Sequence, residues 1–277
     1  MGKELCIVHA NCQAEPLIQR LITCPEFSAR YDYGLITNFV KEPVTDEILS
    51  RCSLFLYQYL GPKWDDLASD VLISKLPDGA RSLCIPNLFF KGYWPLWNSK
   101  PGFNYRCSYL DDIIDKGLPA KETAMLFLYS DIAARFDLLE IVKETIEKER
   151  EKEKHTPVKY LDLLIDNYRD SRLFNTVNHP GSLLMNHVAK EVLIQLGYTP
   201  PPDSVLEAVG EPFPEFEQPI NPKIAQFFGW DFGGPDVEFE IYGRKMNYAR
   251  YVSNYIIAQQ AGVTDFISFL QGANVAI

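Results

Sequence analysis

The chain has no long hydrophobic run. Apolar stretches such as Leu5-Cys6-Ile7-Val8 fall far short of the roughly 20 residues that cross a bilayer, which excludes a transmembrane helix. It has no CxxC pair: the six cysteines stand at 6, 12, 24, 52, 84 and 107, so a metal centre is not expected. A chain of 277 residues can build its own core without disulfides, and a reducing cytoplasm is the expected compartment. Positive charge is in short supply, with 27 Lys and Arg against 37 Asp and Glu and a net charge of −10. Such a surface repels a polyanion, which excludes generic nucleic-acid binding. The opening Met1-Gly2-Lys3-Glu4 lacks the apolar core of a cleaved leader, so none is expected. Cys6 stands where a myristoylation motif requires Ser or Thr.

What is present is the composition of a packed globule, 47% hydrophobic and 13% aromatic, expected as a single α/β domain over 1–277. The first half alternates strand and helix. Leu5–Val8 is a short apolar run, and after Asn11-Cys12-Gln13 the residues Leu17, Ile18, Leu21 and Ile22 recur at helical spacing behind Pro16. The pattern returns at Leu35–Val40 with a helix through Glu47–Leu49, at Leu54–Tyr57 with a helix from Leu67 to Leu76, and at Ser82–Ile85. Strands separated by helices predict a mainly parallel sheet covered on both faces.

Residues 107–170 read as a helical insertion. Its Lys143–Lys154 charge run is a solvated helix face, with opposite charges such as Glu144 and Lys148 four apart. Leu173–Val177 reads as another strand, followed by Asn178-His179-Pro180 and an amphipathic helix through Leu184, Val188, Val192 and Leu196 that stops at Gly197. Seven prolines between 200 and 222 predict an extended strap over 198–235, and 236–277 reads as a C-terminal helical segment.

Two turns carry candidate chemistry. In a parallel α/β sheet, ligands bind beyond the carboxyl ends of the strands, and Cys12 lies where the first strand meets its helix. Helix N-terminal N–H groups stabilise a thiolate, and the amides of Asn11 and Gln13 are candidate donors to a tetrahedral oxyanion. The plain alternative is a packed Cys12 behind a capping Asn11. His179, at the second strand–helix junction, is the candidate base. His155 lies in the charged run, and His187 beside an apolar stripe reads as a packed helix residue. The loops after the third and fourth strands hold Gln58, Tyr59, Asn87, Lys91 and Tyr93, where aromatic rings and Lys91 suit a sugar or a phosphate-bearing ligand. The alternative is that these aromatics cover the sheet.

Asn11-Cys12-Gln13 after the opening strand, the Ile85-Pro86-Asn87-Leu88-Phe89-Phe90-Lys91-Gly92-Tyr93 segment and the Asn178-His179-Pro180 turn, in this order over residues 5–197, resemble the WcbI family of polysaccharide-biosynthesis proteins. The resemblance implies a fold distantly similar to the three-layer SGNH esterases, coenzyme A or acetyl-CoA as a bound substrate, and transfer of an acetyl group to a sugar hydroxyl of a capsular or surface polysaccharide. It also implies Cys12 in the place of the esterase serine and His179 in the place of its base. Thr176 stands where those esterases have an acid, so Asn178 or an acid such as Glu15 would orient the imidazole. Gln58 and Asn87 match the oxyanion contributors loosely, while Tyr59, Lys91 and Tyr93 are candidate substrate- or cofactor-binding residues. The expected partners are small molecules or saccharides, with homo-oligomerisation left open. Covalent and direct transfer are both open, as are a cysteine-dependent esterase or thioesterase and a non-catalytic carbohydrate-binding protein.

Overall fold

Strand β1 (Glu4–Ala10) lies between two parallel neighbours, and its central residues Cys6, Ile7 and Val8 are buried, which is why the run reads as continuously apolar rather than alternating. β2 (Tyr31–Thr37) flanks it on one side and β3 (Cys52–Gln58) on the other, with β4 (Arg81–Ile85) beyond, giving the order β2-β1-β3-β4. Val8 is in register with Leu35 and with Leu56. This is an α/β fold around a central parallel sheet, in a computed structural model that describes residues 2–272. Met1 and 273–277, the outer ends of the expected 1–277 domain and 236–277 segment, lie outside the described residues.

The chain divides into two compact units. The first comprises residues up to Phe89 with 146–167 and 178–212. Its helices are α1 (Ala14–Leu21), α2 (Pro25–Arg30), α3 (Asp46–Ser50), α4 (Ser69–Ser74), α5 (Leu138–Glu153, from Ile146 onward), α6 (Leu161–Asn167), α7 (Ser182–Leu196) and α8 (Asp203–Glu207). α1 buries Leu17, Ile18 and Leu21 and packs against α7. α7 ends where Gly197 takes a left-handed φ of 86°, a conformation glycine adopts without a Cβ clash. Ile7, Ile36, Leu49, Phe55 and Leu72 form one core cluster with Cys52.

The second unit comprises 90–145, 168–177 and 213 onward. Helix Tyr248–Gln260, capped by the Asn247 side chain accepting from Arg250 N–H at 3.0 Å, packs on Ala120–Leu128. Their core is aromatic, with Phe103, Phe127, Phe216, Tyr251, Tyr255 and Phe266 buried together.

Four expectations are corrected. β2 ends at Thr37 rather than Val40, because residues 38–41 turn, with Asn38 N–H donating to Ala10 O at 3.0 Å. Leu173–Val177 supplies only a three-residue strand, Phe174–Thr176, outside the four-stranded sheet. Its backbone is used elsewhere: Asn175 O accepts from Gln218 N–H at 2.7 Å, and the Asn175 amide donates to Phe213 O at 2.8 Å. The proline-rich 198–235 segment is not simply extended. Pro202 caps α8 and Pro222 starts the helix Pro222–Phe228, since a first-turn proline forfeits no helical hydrogen bond. Finally, the charged run is not wholly solvated, for Glu149 is only 1% exposed.

Candidate active site

Each of the four parallel strands is followed or terminated by a side-chain amide at its carboxyl end: Asn11 after β1, Asn38 after β2, Gln58 at the end of β3 and Asn87 after β4. These amides bond to one another. Gln58, fully buried, accepts from Asn11 N–H at 2.9 Å and from the Asn38 amide at 3.3 Å, and its own amide donates to Asn11 Oδ1 at 3.2 Å and Pro86 O at 3.1 Å. Asn11 Nδ2 donates to Asn87 Oδ1 at 3.2 Å. A buried amide left unpaired would cost about 1–3 kcal/mol, so these groups lock each other's rotamers and the turn between them.

Gln13 extends the lock. Its Nε2 donates to Leu88 O at 2.7 Å and Asn178 O at 2.8 Å, while its Oε1 accepts from Leu88 N–H at 3.1 Å. Its backbone N–H goes to Asn11 Oδ1 at 3.0 Å. The side-chain amide hydrogens of Gln13 and Gln58 are therefore directed inside the network.

That turn presents Cys12. Its thiol is half-buried, and the Asn178 side-chain amide donates to Sγ at 3.6 Å. A hydrogen bond to sulfur favours the thiolate over the thiol. Cys6, Cys52 and Cys84 are buried, and desolvation raises all three thiols, Cys84 to about 11. Cys107 is pushed up to about 12, also by desolvation.

His179 follows Asn178 directly, and burial lowers its imidazole from 6.5 to about 4. At neutral pH its imidazole is therefore uncharged. Of the residues expected to orient this imidazole, Asn178 donates its side-chain amide to the sulfur, and Glu15 accepts from Gln19 Nε2 at 3.0 Å.

Tyr59 is exposed and stacks on His155, with ring centroids 3.8 Å apart and 7° between planes. His187 bonds Lys159 O at 2.6 Å, which keeps it a packing residue. Lys91 and Tyr93 belong to the second unit. Tyr93 is fully buried, and its hydroxyl donates to Tyr168 O and Ser171 O, both at 2.9 Å. Its hydroxyl is thus committed to the backbone.

Sequence reasoning missed Asn38 and Glu149. Asn38 had a signal, an amide at the end of an apolar run, like Gln58 and Asn87. Glu149 had none. Its carboxylate accepts from Phe89 N–H at 3.2 Å, Tyr160 hydroxyl at 3.1 Å and Lys152 Nζ at 2.8 Å, fixing the loop that carries Asn87 and Leu88. Desolvation raises the Glu149 carboxyl, with Lys152 opposing, and lowers Lys152.

A family model described as polysaccharide biosynthesis enzyme WcbI matches residues 5–201. The chain belongs to the WcbI family of polysaccharide biosynthesis enzymes. A solved structure described as native WcbI, a polysaccharide biosynthesis enzyme "without disulfide bond" between CoA and one of its cysteines, shares the fold with a TM-score of 0.77. The two are 22% identical, over 99% of this chain and 96% of that one. No curated protein matches the chain. The WcbI match spans Asn11, Cys12, Gln13, Gln58, Asn87, Asn178 and His179.

Proposed function

We propose that this WcbI-family chain transfers an acetyl group from acetyl-CoA to a sugar hydroxyl in capsular or surface polysaccharide biosynthesis, with Cys12 as nucleophile and His179 as base. The observation that carries the reading is the Asn178 amide on Cys12 Sγ: a half-buried thiol, held at the carboxyl edge of the sheet with a donor on its sulfur. The related solved protein, whose description names CoA and a cysteine together, supports CoA as the acyl carrier.

The Cys12 thiol gives its proton to His179, and the sulfur attacks the thioester carbonyl. The new carbon–sulfur bond to Cys12 forms, the bond to the CoA sulfur breaks, and His179 returns the proton to the departing sulfur. The sugar hydroxyl then attacks the acyl-cysteine, passing its proton through His179 to the Cys12 sulfur as that leaves. Asn178 Nδ2 steadies the thiolate in both halves. Asn11 Nδ2, one of whose two hydrogens serves Asn87, is the candidate oxyanion donor. Gln58 and Asn87 hold Asn11, and Gln13 holds the loop. Tyr59 is a proposed contact for the substrate or carrier.

The test is acetyl transfer from acetyl-CoA to a saccharide acceptor, with acid-quenched mass spectrometry of the Cys12 peptide. Acetyl on Cys12 and a Cys12→Ala variant at least about 100-fold slower are expected. Near-normal transfer by Cys12→Ala ends the covalent route. Thioester cleavage that proceeds equally without any saccharide replaces the transferase with a thioesterase.

A further inference from the structure

The second unit carries a groove of about 580 Å³ where the end of helix Ala120–Leu128, helix Pro222–Phe228 and the first turn of helix Tyr248–Gln260 meet. None of the residues assigned a role above belongs to its wall. The volume falls within the roughly 300–1,000 Å³ of small-molecule sites. A protein–protein contact spreads over about 20–30 residues a side, a broader area than this concavity offers. The wall is open to solvent, for Tyr129, Gln226, Pro235 and Ala249 on it are all exposed.

The wall is mostly apolar, with Leu128, Pro222, Ala225, Trp230 and Pro235 contributing. Trp230 is stacked on Phe228, ring centroids 4.5 Å apart, and on Phe232, 5.8 Å apart, and is only 4% exposed. Tyr248 is buried as well. Of the three aromatic rings on the wall, only Tyr129, at 78% exposure, keeps an open face. A saccharide held by stacking needs several such faces and convergent polar groups, so this wall suits a flexible apolar chain better. Helices Ala120–Leu128 and Pro222–Phe228 also expose Met125, Leu126 and Phe227. Large apolar side chains exposed together on helices that wall a concavity mark a binding surface, which scattered ones do not.

Charge selects the head of that chain. Lys223 is the one ionised side chain of the wall among the described residues, in a protein whose net charge is −10. Its Nζ donates to Ser130 O at 2.9 Å, which uses one of the three ammonium hydrogens. The other two are free to meet an anion, and no carboxylate on the described wall opposes one.

We infer that this groove binds a single-chain anionic amphiphile, with its hydrocarbon or isoprenoid chain against Leu128, Tyr129 and Pro235 and its phosphate or carboxylate head at Lys223. The inference stands apart from the acetyl-transfer reading and needs neither Cys12 nor His179.

The test titrates dodecyl phosphate, farnesyl phosphate and dodecanoate, each below its micelle threshold, into the full chain by calorimetry, with maltotriose as the saccharide control. The variants are Tyr129→Ala, Lys223→Met and Ala249→Glu. Tyr129 and Ala249 are exposed, and a glutamate in the first turn of a helix favours that helix, so both variants should unfold near the wild-type midpoint. Saturable binding of at least one amphiphile, with a raised thermal midpoint, is expected. Binding should weaken about five- to tenfold in Tyr129→Ala, about tenfold or more in Lys223→Met and about 30-fold or more in Ala249→Glu. A preference for the phosphates or for dodecanoate identifies the head, and either sustains the proposal. No saturable binding of any amphiphile overturns it, as does binding that Ala249→Glu leaves unchanged. Maltotriose binding that Tyr129→Ala weakens overturns it in favour of a saccharide site. A wild-type midpoint lowered by every amphiphile, the sign of binding to the unfolded chain, overturns it too. Cys12→Ala should bind the amphiphile as the wild type does, whatever becomes of its acetyl transfer.

Discussion

Asn178 Nδ2 donates to Cys12 Sγ at 3.6 Å across 166 positions of sequence. The backbone oxygen of the same asparagine accepts from Gln13 Nε2 at 2.8 Å. One residue thus holds both the sulfur and the turn that presents it. Removing only the side-chain amide tests the first role without the second. Asn178→Ala should slow alkylation of Cys12 at neutral pH and lower acetyl transfer by roughly 10- to 100-fold, the worth of a hydrogen bond to a charged group. Unaltered alkylation in a folded variant would show that the thiolate does not depend on Asn178.

Gln58 has no exposed surface and bonds Asn11, Asn38, Gln13 and Pro86. Gln58→Met keeps the volume and removes every one of those bonds. The expected loss is about 2–4 kcal/mol, read as a lower urea midpoint at unchanged m value. A variant as stable as the wild type would mean that the amide network contributes no net stability.

His9 is fully buried on β1 beside Phe55, and neither ring nitrogen has a partner among the described residues. Desolvation lowers its pKa to about 4, opposed by the distant pull of Glu42. Between pH 6.5 and 4 the unfolded chain therefore binds a proton that the folded chain refuses. The stability this group confers is complete above pH 6.5 and drains away as pH falls towards 4, by roughly 3 kcal/mol in all. His9→Leu should flatten that part of the stability–pH curve. Curves of equal slope for variant and wild type would contradict a buried neutral imidazole.

The same cause acts on His179, also held at about 4 by burial. As a base it is lost only when protonated, so transfer should persist below pH 6 and fall with an inflection near 4. Stopped-time assays kept shorter than acid unfolding, checked by circular dichroism, read the limb. An inflection near 6.5 would place the base elsewhere or leave His179 solvated. His179→Ala should cost roughly 10²- to 10⁴-fold at pH 7.

The strand–helix alternation of the first 85 residues was legible because each central strand is buried on both faces, so composition alone betrays it. The turn at Cys12 was legible for a similar reason: a polar triplet directly after an apolar strand marks the carboxyl edge. The segment Leu173–Val177 misled. An apolar run of five reads the same whether it joins a sheet or, as here, binds Phe213 and Gln218 through Asn175. The prolines of 198–235 misled in the other direction, since Pro202 and Pro222 open helices. Arg20, on the first helix, is fully buried and bonds Asn186 Oδ1 at 2.6 Å and Gly210 O at 2.7 Å.

Sequence alone determined the α/β class, the parallel sheet, the WcbI resemblance and the identity of the candidate thiol, because hydrophobic spacing and strand-end polarity are local properties. Tertiary structure decided which amides meet. Asn11, Asn38, Gln58 and Asn87 are far apart along the chain and become neighbours only because parallel strands bring all their carboxyl ends to one edge. It also decided that Asn178 serves the sulfur and that Glu149 is buried, since a hydrogen-bond partner is a matter of distance in space, and no periodicity in sequence encodes it.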